Sequence, residues 1–293
     1  MFSKSTLLHL RIPFSYFLLP VFLFAVSVSP NIMVSRIGWV FIILHLLLYP
    51  ASNGYNSYFD KDEGSIGGLK NPPPVKKGLY WSALLLDGVA IILGYSKVSL
   101  LFSIMLLIYG LVSKAYSHPD VRLKKYPITG WIVTGLFQGF FTFLMCYAGI
   151  NKFDVENLLQ AKVLFAALLT SMVLWANYPM TQVYQHEEDA RHGDKTLSLM
   201  LGIRGTFYLA GIFFAVASAG FIFFFKNFYD LHYAWAFLLT VSPVVLYFSY
   251  WFLRVLRDPK EADFRHTMWL NFISATCLTV FFMRFFLEVS GLG

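Results

Sequence analysis

The sequence predicts an all-α integral membrane protein with about nine transmembrane helices around a central cavity and helical loops on the cytoplasmic side. Hydrophobic residues make up 57% of the chain and charged residues 13%, against about 45–50% and about 25% in soluble domains. Apolar segments long enough to span a bilayer follow one another to the C-terminus. We interpret residues 1–293 as a single polytopic membrane domain.

Nine apolar runs are the candidate transmembrane helices, each near the length of about 20 residues that crosses a bilayer core. From the N-terminus they are Ile12–Val28, Ile37–Tyr58, Leu79–Gly94, Ser99–Lys114, Gly130–Gly149, Ala161–Tyr184, Gly205–Phe225, Tyr233–Leu253 and Thr267–Leu287. A cleavable signal peptide is the alternative for the first run. Because the chain soon becomes apolar again, we favour a first transmembrane helix.

The basic residues predict the orientation. With nine helices and a cytoplasmic N-terminus, most of the 23 lysines and arginines fall in cytoplasmic segments, as the positive-inside rule requires. In a prokaryote this membrane would be the inner membrane. The net charge of +7 lies in short loops between apolar runs, so it does not indicate a nucleic-acid partner.

A polar stretch, YPASNGYNSYFDKDEGSIGG, interrupts this pattern at the end of the second predicted helix. Asn53, Asn56 and Asp60 follow one another at i, i+3 and i+7, so they share one helix face. Amides and a carboxylate are costly at the end of a membrane helix and indicate a functional site.

The chain repeats this stretch from Tyr178 as YPMTQVYQHEEDARHGDKT, which gives an internal repeat centred on residues 49–64 and 178–193. The repeat pairs Gln182 with Asn53, Gln185 with Asn56, and Asp189 with Asp60. Its copies end the second and sixth predicted helices, which are parallel, so both open on one membrane side. We therefore expect the two copies to meet at a shared site.

The residue types at this site indicate a divalent cation and a diphosphate. The predicted Mg²⁺ ligands, of which the two aspartates are also the candidate catalytic residues, are Asn56, Asp60, Gln185, Glu188 and Asp189. Mg²⁺ prefers oxygen ligands and leaves positions for substrate phosphates. The candidate diphosphate-binding residues are Asn53, Lys70, Arg122, Lys124 and Gln182. An isoprenoid tail on the diphosphate would fit among apolar helices, where aromatic faces stabilise an allylic cation.

The segment NSYFDKDEG resembles the first aspartate-rich motif of the UbiA superfamily of intramembrane prenyltransferases, typically Asn-Asp-x-x-Asp-x-x-x-Asp. Asn56 and Asp60 match the asparagine and the central aspartate, whereas Ser57 and Gly64 stand where the family carries acids. The segments LRIPF and YSHPDVRLKKYPITG are also similar to the family's first helix and to the loop after its fourth helix. The resemblance extends over most of the chain.

The segment QHEEDARHGDKT resembles the second motif of that family. It keeps Asp189, Gly193 and Thr196, and Gln185 replaces the first aspartate. The resemblance implies nine helices, Mg²⁺, and transfer of an isoprenyl group from an isoprenyl diphosphate to a lipophilic acceptor of aromatic or quinone type.

Two other functions stay open at this point. One is a non-catalytic membrane carrier or scaffold that retains the fold, and the other is a prenyl diphosphate hydrolase or cyclase. No contiguous motif indicates the acceptor, the prenyl chain length or the oligomeric state.

Overall fold

Nine helices of the computed structural model, which describes residues 3–291, are long and apolar enough to span a membrane. They are α1 Lys4–Ser27, α2 Val34–Asp60, α3 Gly78–Val98, α4 Leu100–Ser117, α5 Pro127–Asn151, α6 Ala161–Met180, α7 Leu197–Phe228, α8 Leu231–Arg257 and α9 Phe264–Ser290. This confirms the predicted all-α membrane fold. The largest extension is at α7, which begins at Leu197 instead of Gly205 and bends at Gly202, where φ is 69°.

The helices form a closed ring. Each one packs against the next in sequence, and α9 packs against α1. Ser27 at the end of α1 donates a hydrogen bond to the carbonyl of Phe282 (3.0 Å), and the hydroxyls of Tyr16 and Thr276 lie 2.8 Å apart. The first apolar run, for which a signal peptide was the alternative, is thus part of the bundle.

Phenylalanine rings fill the end of the bundle far from the polar repeat. Phe24 of α1 stacks on Phe282 of α9 at a centroid distance of 4.5 Å and also contacts Phe143, Phe221 and Phe224. Lipid tails are as apolar as these rings, so helix association here depends on close packing and not on removal from water. The cluster explains where much of the phenylalanine content lies.

Prolines shape the two helices that carry the repeat. In α2, a π-helical turn over Ile43–Leu48 directly precedes Pro50, and the helix then continues to Asp60. In α6, Pro179 lies in the last turn and the helix ends at Met180. The sequence prediction of a helix to Tyr184 is therefore wrong at this end. Because the helix continues past the matching Pro50 in α2, Pro179 alone does not explain this end. The chain turns after Met180, where the Thr181 hydroxyl donates a hydrogen bond to the carbonyl of Tyr178 (2.7 Å).

The chain after α6 makes turns and then a short helix, His186–Arg191, which we call the loop helix. The first copy of the repeat is thus helical as far as Asp60, whereas the second is divided between a turn region and the loop helix. The helical spacing seen in the sequence holds in only one copy.

Candidate functional site

The two copies of the repeat meet at one cavity of about 290 Å³ inside the ring. The polar lining residues from the repeat and the loop after α4 include Asn53, Asn56, Asp60, Asp62, Lys124, Gln182, Gln185 and Asp189. The apolar lining includes Val21, Phe137, Leu174, Phe221, Leu278 and Phe282. The cavity therefore joins an ionic end to a hydrophobic interior.

Asp60, the last residue of α2, is 5% exposed and sits among donors. Asn56, one turn earlier on the same face, donates to Asp60 Oδ2 (2.7 Å) and to the Ser117 hydroxyl (3.0 Å). Lys124 Nζ lies 2.6 Å from Asp60 Oδ1. The loop after α4 thus supplies the cation that neutralises the carboxylate at the end of α2.

Asp194 binds two of the three basic residues of that loop, Arg122 and Lys124. Arg122 donates two parallel hydrogen bonds to its carboxylate (2.8 and 2.9 Å), and Lys124 Nζ lies 3.1 Å from Asp194 Oδ2. Burial alone would raise the pKa of Asp194, but the hydrogen bonds and charges of Arg122 and Lys124 outweigh it and lower the pKa. Lys124 is shared between Asp60 and Asp194, so one lysine joins both halves of the repeat.

Asp62 and Asp189 are the less neutralised carboxylates. Burial raises the pKa of Asp62 to about 6, and the nearby charges of Asp60 and Glu188 add to the shift. Burial raises the pKa of Asp189 to about 7, and the charges of Asp194 and Asp62 contribute. One neutral partner of Asp189 is the Thr196 hydroxyl, which donates to Oδ2 (3.1 Å). Carboxylates crowded in this way favour a bound cation.

The donor set fits Mg²⁺ held jointly with a substrate. Within residues 3–291, His, Cys, Asp and Glu side chains form no group of three that could hold a metal ion by itself. Mg²⁺ typically uses one or two carboxylates and completes its shell with water and substrate phosphates. The Asn56 amide nitrogen donates to Asp60 and Ser117, and the Gln185 nitrogen donates to the carbonyl of Ser65 (3.2 Å). Both amide oxygens are left for ligation.

Four predicted site residues have other surroundings. Arg122 is bound to Asp194 and lies outside the cavity lining. Lys70 is exposed in the loop after α2, outside the cavity lining. The Gln182 carbonyl oxygen accepts a hydrogen bond from the Ser198 N–H (3.2 Å) at the start of α7. The Glu188 carboxylate accepts hydrogen bonds from backbone N–H groups of the loop after α2.

Two cavity residues are not in the predicted ligand and diphosphate-binding sets, although Asp62 was one of several nearby acids that could substitute as ligands. Asp62 lies inside the matched segment, two residues after Asp60, at a position where the motif has no fixed acid, so spacing gave no reason to prefer it to its acidic neighbours. Arg11 lines the cavity and donates to the carbonyls of Gly67 (3.2 Å) and Asn53 (3.4 Å). In the sequence, the feature that could have pointed to Arg11 is its position directly before the first apolar run.

Two tyrosines lie beside the acids. Tyr116 at the end of α4 and Tyr178 near the end of α6 both line the cavity, and their hydroxyls are hydrogen-bonded to each other. Tyr178 is the repeat counterpart of Tyr49, which also lines the cavity. Aromatic faces thus lie next to the ionic end of the cavity.

The sequence is similar to a known protein family and to one of the curated proteins. Residues 16–273 match the model of the UbiA prenyltransferase family. A digeranylgeranylglyceryl phosphate synthase from Methanothrix thermoacetophila is 26% identical over 182 residues, which is 59% of this chain and 61% of that protein. The match therefore spans about three fifths of the length of that relative.

Two solved structures share the fold. A UbiA homolog from Archaeoglobus fulgidus bound to GPP and Mg²⁺ has a TM-score of 0.69 at 16% identity, covering 97% of this chain and 99% of that one. The same description with DMAPP and Mg²⁺ has a TM-score of 0.70 at 14% identity, with the same coverage. At these identities the similarity shows the fold.

Proposed function

Because the chain belongs to the UbiA prenyltransferase family, we propose that it is an Mg²⁺-dependent intramembrane prenyltransferase. It moves an isoprenyl group from an isoprenyl diphosphate to a lipophilic acceptor of aromatic or quinone type. The proposal rests on the meeting of Asp60, Asp62 and Asp189 with Lys124 at one end of a cavity that is also lined by apolar and aromatic side chains. The N-terminus is cytoplasmic in this proposal, which places the ionic end of the cavity on the cytoplasmic side.

The candidate ligands of Mg²⁺ are the carboxylates of Asp60, Asp62 and Asp189 and the amide oxygens of Asn56 and Gln185. When bound there, Mg²⁺ supplies positive charge that stabilises the departing diphosphate. Asn56 orients the Asp60 carboxylate through the 2.7 Å hydrogen bond. Thr196 orients Asp189 in the same manner.

Lys124 and Arg122 supply fixed positive charge for the diphosphate oxygens. Ion pairs with Asp60 and Asp194 hold the side chains of Lys124 and Arg122 in place. Little reorganisation is therefore needed when charge develops on the leaving group. The bond between C1 of the prenyl group and the diphosphate oxygen breaks, and its electron pair leaves with the diphosphate. In this proposal the rings of Tyr116 and Tyr178, which line the cavity, stabilise the allylic cation. The acceptor then forms the new bond to C1 and loses a proton.

The apolar cavity lining suits the prenyl tail and the acceptor. Val21, Phe137, Phe221 and Phe282 offer no hydrogen-bonding groups in their side chains, so they exclude water from the cation. Exclusion of water favours transfer to the acceptor over hydrolysis. This supports a prenyltransferase over a prenyl diphosphate hydrolase.

The test is turnover of labelled GPP or DMAPP by the purified protein in lipid nanodiscs, with quinone-type acceptors or prenylated glyceryl phosphates added. We expect a labelled lipophilic product that requires Mg²⁺, and we expect Asp60→Ala and Asp189→Ala to abolish it. Full activity of both variants, or turnover without divalent cations, would contradict the proposal. Release of the free prenyl alcohol would indicate a hydrolase, and Mg²⁺-dependent binding without any product would indicate a carrier.

A further inference from the structure

The loop after α2 and the loop helix contact each other through one acidic side chain. Glu188 Oε1 accepts hydrogen bonds from the N–H groups of Glu63 (2.6 Å) and Gly64 (3.2 Å), and Oε2 accepts from Gly64 (3.0 Å). Successive backbone N–H groups of this kind form a concave site for an anion. Here the anion is a carboxylate of the same chain, from the other copy of the repeat.

Gly64 permits this contact because it lacks a side chain. A Cβ at position 64 would overlap the Oε2 atom of Glu188, and this carboxylate supplies all the close contacts of that Cβ. Gly64 stands where the sequence comparison expected an aspartate. The glycine at position 64 therefore leaves the space that the Glu188 carboxylate occupies.

The contact of the Glu188 carboxylate with the N–H groups of Glu63 and Gly64, which we call the clamp, lies next to the carboxylates of the proposed site. Asp62 directly precedes the two clamped amides, and Asp189 directly follows Glu188 in the loop helix. Gln185, one turn before Glu188, adds a second link through its hydrogen bond to the carbonyl of Ser65 (3.2 Å). Two side chains of the second copy thus hold residues 63–65 of the first.

We propose that Glu188 is a positioning residue whose carboxylate grips the amides of Glu63 and Gly64 and thereby holds Asp62 close to Asp189. It acts through these two aspartates. The effect on catalysis rests on the proposed function, whereas the clamp itself does not.

The neighbouring acid provides a matched control. Glu187 is on the same short helix, but its side chain is 92% exposed and its carboxylate lies 3.6 Å from Arg191 of the same helix. Glu187→Ala removes the same chemical group one position away without touching the loop after α2. We expect this variant to behave as the wild type.

Hydrogen exchange of the amides of residues 63 and 64 tests the clamp directly in nanodiscs. We expect Glu188→Ala to speed this exchange about tenfold or more, because hydrogen bonds to a charged group are lost. Glu188→Gln keeps one acceptor oxygen and should give an intermediate rate. Gly64→Ala should mimic Glu188→Ala, and the double variant should add nothing further, because both changes break the same contact.

One further measurement, the half-saturating Mg²⁺ concentration, separates the clamp from a direct ligand role when it is combined with hydrogen exchange. If Glu188 positions the aspartates, Glu188→Ala and Gly64→Ala raise the half-saturating Mg²⁺ concentration together. Unchanged exchange at residues 63 and 64 in Glu188→Ala, with a raised Mg²⁺ requirement, would overturn the clamp and leave the prenyltransferase proposal intact. Faster exchange in a protein that shows no turnover with any substrate would support the clamp and count against the proposed function.

Discussion

Lys124 is the side chain whose removal should disturb the site most, because it is shared by two buried carboxylates. Its Nζ lies 2.6 Å from Asp60 Oδ1 and 3.1 Å from Asp194 Oδ2, and the side chain is 11% exposed. Lys124→Met keeps the apolar stem and removes the charge. Asp194 retains the two hydrogen bonds from Arg122, but the nearest cation to Asp60 is then Arg122, 3.6 Å away.

We expect this variant to lose about 3 kcal/mol of stability, the lower limit for breaking a buried ion pair by removing one partner. The lower limit applies because Arg122 still compensates part of the negative charge. For a chain of this size the apparent unfolding temperature should fall by roughly 6–12 °C. Stabilisation by an isoprenyl diphosphate with Mg²⁺ should also shrink, since ligand binding to the folded state raises stability.

Thermal unfolding in detergent, with and without GPP and Mg²⁺, measures both effects. Lys125→Met is the matched control, because the Lys125 ammonium lies over the ring of Tyr126 (5.0 Å) and outside the acid cluster. An unchanged unfolding temperature in Lys124→Met, together with normal stabilisation by GPP, would refute the role assigned to Lys124.

Three other changes test separate parts of the structure. Asp62→Asn should raise the Mg²⁺ concentration for half-maximal turnover by roughly tenfold or more, measured by Mg²⁺ titration; an unchanged titration curve would remove Asp62 from the ligand set. Ser117→Ala takes away one of the two acceptors that orient the Asn56 amide and should reduce kcat about tenfold, with unfolding temperature as the check that the fold is intact. Asp87→Asn leaves Lys114 without the carboxylate it pairs with between α3 and α4 and should cost about 3–5 kcal/mol in thermal unfolding. Adding Lys114→Met should restore most of that loss, and a double variant as unstable as the single one would contradict the pairing.

The departures from the family motifs have a structural counterpart. The sequence shows Gly64 and Gln185 in place of acids, which left open how a cation would be held. In the structure, Asp62 lines the cavity and Glu188 occupies the space that a side chain at position 64 would need. Asp62 thus brings a carboxylate to the cavity from a position next to Ser57 and Gly64, which stand where the family motif carries acids.

The membrane fold could be predicted because hydropathy is a local property. A run of about 20 apolar residues is stable only where a bilayer or a protein interior surrounds it, so the nine helices follow from the chain itself. The repeat was also visible in the sequence, and its copies do meet at one cavity. The end of α6 was mispredicted because the repeat suggests the same helix in both copies, whereas only the first copy continues as helix after its proline, to Asp60, and the second turns after Met180.

The pairing of charges was decided only by the tertiary structure. The sequence placed Lys70, Arg122 and Lys124 together as diphosphate-binding cations, but folding leaves Lys70 exposed and puts Lys124 between Asp60 and Asp194. The hydropathy of a segment can be read from consecutive residues. An ion pair, in contrast, depends on a distance of a few ångströms between segments that are more than 60 residues apart in the sequence. The sequence alone thus determined a polar site at the ends of two membrane helices, and the fold determined which carboxylates are neutralised there and which remain for a cation.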